Sequence, residues 1–261
     1  MSIAHWAKSW IKLGLACSMI FASANYSFGS IVTIDPFTAS QTLNNPGPSG
    51  TVVSNGTAAP GALGGARVFQ SYYVTSDGGG NATLVSGTPS GTAAFNQDVS
   101  VTANGLIMYT GSTTPLASWD GTIAGTTPNA FGLGGVDLTG GGVNTQIRVR
   151  AASDQSVDVT MTFYDNSAGN FARRTFTIPG TSPQTFSYYT LPFNVFTLNG
   201  SFNSGSWSSV DAITVFIAGA NGSDTSFRYF AADDVPEPAT FGLMALGLAG
   251  TVAFARRKFR A

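Results

Sequence analysis

Between residues 25 and 235 the ionisable side chains are twelve aspartates, six arginines and the tyrosines. The single His is His5 and the single Cys is Cys17, while the single Glu is Glu237 and the lysines are Lys8, Lys12 and Lys258. A histidine-based triad, a thiol nucleophile and a His or Cys zinc site are therefore excluded from that segment. No disulfide can form within it. Aspartates leave two chemistries open. A pair can hydrolyse a glycoside when one carboxyl is held protonated at a suitable separation from the other. No spacing singles out such a pair, and neither a phosphate loop nor a G-x-S-x-G elbow is present, so the segment is expected to be noncatalytic. The second chemistry is calcium binding by Asp35, near the first strand, with Asp233 and Asp234, near the last. Without a D-x-D-x-D-G spacing, the competing reading is a solvated carboxylate cluster, and no cofactor is called for.

Sugar recognition needs an aromatic platform with polar groups converging on it. Trp119, followed by Asp120 and Gly121 in a loop, is the aromatic expected to be exposed, and Trp119 with Asp120 is the candidate glycan contact. Tyr72, Tyr73, Tyr188 and Tyr189 are further candidates, but neighbours on a strand face opposite ways, so one of each pair at most joins a given surface. Trp207 precedes an apolar strand and is read as packing. Twelve Asp against six Arg leave residues 25–235 at minus six, with no basic stripe for nucleic acid.

The elements that must hold these groups are strands. Residues 145–151 alternate Ile147 and Val149 with Arg148 and Arg150, and residues 157–164 place Val157, Val159, Met161 and Phe163 on one face. Similar patterns predict strands at 31–34, 67–75, 171–178, 186–191, 212–218 and 226–231, and Asn104-Gly105 predicts a hairpin between 99–103 and 106–110. Gly and Ser clusters at 76–81, 86–91 and 139–142 read as loops, and 46–65, poor in large apolar residues, reads as a mobile surface insertion. At about 210 residues the segment suits one β domain.

The two ends differ from this body. Lys8 and Lys12, the apolar run 13–22 and the small residues Ala22 and Ala24 are ordered like a secretory signal, predicting a signal peptide at 1–24 and a mature chain from about Asn25. Around Cys17 the large aliphatic residue of a lipobox is missing. At the other end Pro236-Glu237-Pro238 precedes residues 239–255, which carry no charge and would reach roughly 25 Å as a helix. Arg256, Arg257, Lys258 and Arg260 follow in the basic tail 256–261 and are expected to stay on the cytoplasmic side. Prolines 236 and 238 keep the helix from starting earlier.

In this order, the triplet, the Gly-rich apolar span and the Arg-rich end resemble the PEP-CTERM sorting signal of Gram-negative bacteria. The resemblance implies an exosortase-type processing enzyme cutting near residues 236–238, an inner-membrane-anchored precursor, delivery to the cell surface or beyond, and association with exopolysaccharide or biofilm. Asp137-Leu138-Thr139-Gly140, the segment Trp207 to Ala218 and the closing FRYFAADDV resemble a galactose-binding-like jelly roll, covering 135–235 better than the first half. The expectation is thus an all-β protein, a single jelly-roll-like β-sandwich over 25–235 between a signal peptide and the sorting signal 236–261. Its function is read as a noncatalytic cell-surface or matrix protein, with a carbohydrate-binding module as the alternative and an Asp-dependent glycosidase behind both.

Overall fold

A computed structural model describes residues 31–76, 79–87 and 91–234. The expected signal peptide, Ala22 and Ala24, Pro236 to Pro238, the span 239–255 and the basic tail lie outside the described residues. Among the described residues the chain is all-β apart from short 3-10 turns. Its strands are β1 (Val32–Asp35), β2 (Gln41–Asn45), β3 (Val52–Ala58), β4 (Ala66–Ser76), β5 (Ala82–Ser86), β6 (Ala93–Gln97) and β7 (Val101–Tyr109). After a long connection come β8 (Gln146–Ser153), β9 (Val157–Tyr164), β10 (Phe171–Ile178), β11 (Ser187–Pro192), β12 (Thr197–Asn199), β13 (Ala212–Ala218) and β14 (Thr225–Asp233).

Two antiparallel sheets face one another. The first runs β11-β8-β14-β6-β5-β2, with β1 also on β14, and the second runs β12-β10-β9-β13-β7-β4-β3. The chain passes repeatedly between them, as in a jelly roll, and each strand gives alternate residues to the space between the sheets. Ile147 and Val149 of β8 and Phe227 and Phe230 of β14 thus meet Val159, Met161 and Phe163 of β9 and Val215 of β13 in one apolar core. At one end Trp207 stacks on Phe193, with centroids 4.2 Å apart, and meets Phe163, Phe196 and Phe202 edge-on or tilted. Trp207 is a packing residue, as expected.

Two expectations from the sequence are corrected. Residues 46–65 contain β3, paired with β4 from Val52↔Tyr72 to Ala58↔Ala66, so they form the edge of the second sheet and not an insertion. Asn55 of β3 donates to the Thr42 carbonyl at 3.0 Å and Gln41 donates to the Asn55 carbonyl at 2.7 Å, tying the two sheets together along that side. Asn104-Gly105 is not a turn: β7 runs straight through it, between β4 and β13. The Asn104 amide donates to the Gly121 carbonyl and accepts from the Gly219 N–H, while a Cβ on Gly105 would stand 3.3 Å from the Phe95 ring. Asn and Gly are there for close approach and not for a positive φ. On the outer side of the second sheet Thr160, Thr162 and Thr214 are buried, because that side is itself covered.

Candidate functional site

The cover is the connection between β7 and β8. It carries Leu116, Trp119 and Ile123 onto Val68, Leu106, Met108 and Phe216, making a second, smaller core on the outer side of the second sheet. Trp119 is only 5% exposed, with its ring edge-on to Tyr72 and Phe216 at 6.1 Å and its indole N–H donating to the Thr122 carbonyl at 3.0 Å. The expected exposed platform is therefore a packing residue. Nothing in the WDG spacing shows that the loop folds back over a sheet. Gly121 is required there, at φ +77°, because the Tyr72 ring lies where a Cβ would be.

Asp120 is exposed but closes its own turn, accepting from the Thr122 N–H at 2.9 Å and the Thr122 hydroxyl at 2.6 Å. That hydroxyl first, and then the amide, hold its carboxyl below the ordinary range. Asp137 is held low in the same manner by the Thr139 hydroxyl, assisted by the N–H groups of Gly141 and Thr139 against a desolvation that opposes them. Both carboxylates are consumed in shaping loops.

The calcium candidates do not come together either. Asp35 lies between the sheets, where one oxygen accepts from the Phe37 N–H at 2.7 Å and the other meets Arg67 at 2.6 Å and the Tyr109 hydroxyl at 3.0 Å. Asp233 pairs with Arg148 at 2.5 Å and accepts from Gln146 at 3.1 Å. Asp234 is exposed beyond the end of β14, near the Thr145 hydroxyl. Each buried carboxylate already has its counter-charge, and among the described residues no group of three or more acidic, His or Cys side chains could hold a metal.

The outer side of the first sheet is different, because no connection crosses it with an apolar cluster among the described residues. Register places Arg148 and Arg150 of β8 beside Thr190 and Tyr188 of β11 and Ala231 and Tyr229 of β14. Between Phe227 and Tyr229 the register slips by one residue, so the exposed Arg228 is an extra residue in β14. A bulge of this kind re-aims side chains, and here both Arg228 and Tyr229 reach the outer side.

The result is a row in which cations and rings alternate. Arg228 stands over Phe186 at 4.1 Å, Arg150 lies between Phe186 and Tyr188 at 5.8 and 5.5 Å, and Arg148 lies between Tyr188 and Tyr229 at 5.3 and 5.5 Å. Tyr188 and Tyr229 also meet edge-on at 6.2 Å. Tyr188 is 57% exposed, which for a ring so engaged marks it as displayed and not packed. Of the four tyrosines singled out in sequence, it is the one presented to solvent: Tyr73 is buried, with its hydroxyl donating to the Gly80 carbonyl, and Tyr72 and Tyr189 are half-buried. Burial opposes the Arg148 charge, but Tyr229 and Asp233 outweigh it and hold its proton above the usual range. The rest of this face, on β6, β5 and β2, presents uncharged residues such as Asn96, Thr83 and Asn44. Elsewhere, a groove of about 460 Å³ lies along β10 and β12, lined by Arg173 and Arg174, where Arg173 is engaged with Thr162 and with the Phe171 ring.

Residues 234–258 match the PEP-CTERM protein-sorting motif, which marks the chain for export and for processing of a membrane-anchored precursor. No curated protein sequence matches the chain. Among solved structures it is similar to the family 11 carbohydrate-binding module of the cellulosomal cellulase Lic26A-Cel5E of Clostridium thermocellum, with 10% identity, 81% of this chain and 99% of that chain covered, and a TM-score of 0.36. It is also similar to a point mutant of a family 29 carbohydrate-binding module solved with mannohexaose, with 11% identity, 74% of this chain and 92% of that chain covered, and a TM-score of 0.29. At such TM-scores the likeness says nothing about what this chain binds.

Proposed function

We propose that this is an exported, noncatalytic cell-surface protein that binds polysaccharide through the outer face of its first sheet. The sorting motif supplies the destination, reached through removal of a signal peptide at Ala24 and exosortase-type processing near Pro236 to Pro238. A surface role in an exopolysaccharide or biofilm layer fits that destination. The observation that carries the binding face is Tyr188, more than half exposed on β11 and flanked by Arg148 and Arg150. Aromatic rings cover the C–H surfaces of sugars and guanidinium forks bond their oxygens. An extended polysaccharide fits an open row better than it fits an enclosed pocket. The absence of His, Cys and Glu between residues 25 and 235 supports a binding role over a catalytic one.

A glycan array carrying neutral and acidic chains tests this. Wild-type protein is expected to bind at least one class of polysaccharide, and Tyr188→Ala to lose that signal while keeping its β-type far-UV spectrum. Undiminished binding by Tyr188→Ala would remove this face from the reading.

A further inference from the structure

Of the six arginines in the body of the chain, three stand on one face of one sheet, in a domain whose formal charge is minus six. Among the described residues only one of the three is neutralised. Arg148 holds the Asp233 carboxylate at 2.5 Å, whereas among the described residues neither Arg150 nor Arg228 meets a carboxylate. Arg148 and Arg150 are equivalent positions on β8, two residues apart and facing the same way. The Nε–H groups of both are buried without a hydrogen-bond acceptor. Those buried Nε–H groups are out of a ligand's reach, so an anion is met at the outer guanidinium nitrogens, which stacking on the rings orients and whose planar fork matches a carboxylate. Arg148 and Asp233 display that pairing within the same row.

The rings explain why a neutral sugar is the poorer partner. Phe186 has guanidinium groups over it from Arg228 and Arg150, and Tyr188 has them from Arg150 and Arg148, so a sugar laid on the exposed part of Tyr188 sits among cations that a carboxylate pairs with and a neutral sugar does not. What the face offers outward is mainly N–H donors and positive charge, on strands flanked by uncharged β6, β5 and β2. Repetition suits a polymer: residues 148 and 150 along β8, with Arg228 beyond them, present cations at strand spacing.

Resting on the polysaccharide reading above, we infer that the ligand is an anionic polysaccharide whose chain carries carboxylates, as uronic acid polymers do, bound by Arg150 and Arg228 with Arg148 and Tyr188 beside them. The full chain, purified in detergent, is run in affinity gels containing polygalacturonate, dextran sulfate or neutral mixed-linked glucan, with thermal melts confirming that each variant is folded. Polygalacturonate is expected to retard the wild type, and Arg150→Gln with Arg228→Gln to weaken retardation at least tenfold. Arg173→Gln with Arg174→Gln, which removes the same charge from the second sheet, is expected to leave retardation unchanged. An equal loss in that control would mean bulk electrostatics and overturn the proposal. Neutral glucan retarding the wild type as strongly, with the face variant unaffected, would overturn anion selectivity while leaving the polysaccharide reading standing. Retardation by dextran sulfate alone would overturn the carboxylate assignment, and no retardation by any of the three would remove both readings.

Discussion

Arg67 Nη1 lies 2.6 Å from Asp35 Oδ2 with both side chains buried between the sheets. The guanidinium also donates to Gln41 Oε1 at 2.9 Å, to the Ala39 carbonyl at 2.9 Å and to the Ser86 hydroxyl, so the elements β1, β2, β4 and β5 share one charged junction. A buried pair satisfied in this way is costly to break on one side only, because the survivor is a charge without a partner. Arg67→Met is expected to lower stability by about 3–5 kcal/mol in urea unfolding. The double variant with Asp35→Leu should recover part of that loss, and a double variant as unstable as the sum of its parts would show that the two groups do not depend on one another.

Trp119 and Tyr188 are expected to behave in opposite ways. Trp119→Ala opens a hole in the small core beneath the β7–β8 connection and should cost about 3–5 kcal/mol, with glycan retention kept wherever the protein is folded. Tyr188→Ala removes a mostly exposed ring and should shift the melting temperature little while abolishing retention. Unfolding curves and affinity gels on both variants read the two effects separately.

Gly56 tests how the connection is seated. A Cβ there would stand 1.8 Å from the Thr113 carbonyl oxygen, a backbone atom with no rotamer to escape into. Gly56→Ala must push β3 and the connection apart, at a cost of about 1–3 kcal/mol by analogy with overpacking. Faster hydrogen exchange at residues 110–126 is the local signature, and an unchanged exchange pattern would contradict the observed contact.

How much of this is legible in the sequence depends on what each strand touches. Strands β9 and β13 match their predicted bounds because at least one face of each is apolar, and a period of two reports that directly; β10 matches as well, although Arg174 interrupts its face of Ala172, Phe176 and Ile178. The strands β2, β3, β5 and β6 give no such signal: QTLNN, VVSNGTA, ATLVS and AAFNQ are short, small and polar, and they belong to one end of each sheet, where few large side chains are needed. Tyr188, Arg148 and Arg150 are visible as outward residues on their own strands. That β11 and β14 flank β8 is a matter of pairing between segments tens of residues apart, and Arg228 reaches the row through a bulge that no local pattern announces.

The acid response of the fold divides by site. Asp224 is raised by burial first and then by Asp154 and Asp98, with the Gln97 N–H opposing, so in the folded state it keeps its proton to higher pH than in the unfolded chain. The stability it contributes is present below the unfolded carboxylate value, near about 3.9, and is lost as pH rises through the folded value. Asp120 and Asp137 are lowered, so their contribution is present above that unfolded value and is lost as pH falls through the folded one. Asp224→Asn retains an acceptor for Gln97 and removes the repulsion. Its melting temperature should exceed that of the wild type at pH 7 and converge with it near pH 3, and a lower melting temperature at pH 7 would mean that the charge is needed.

Processing of the tail can be separated from its insertion. Residues 234–258 match the sorting motif, in which Pro236-Glu237-Pro238 precedes an uncharged span and the basic residues Arg256, Arg257 and Lys258, with Arg260 just beyond. If the triplet is what the processing enzyme reads, Glu237→Gln removes one charge and leaves the apolar span and its basic flank untouched, so insertion should proceed and the anchored precursor should accumulate. Deleting residues 256–260 should instead weaken retention of the C-terminus on the cytoplasmic side and misplace the precursor. Fractionation with terminal peptide mapping distinguishes an uncut membrane protein from a mislocalised one. A Glu237→Gln chain that matures at the wild-type rate would show that the carboxylate is not read, and recognition would then have to rest on the prolines or on the span itself.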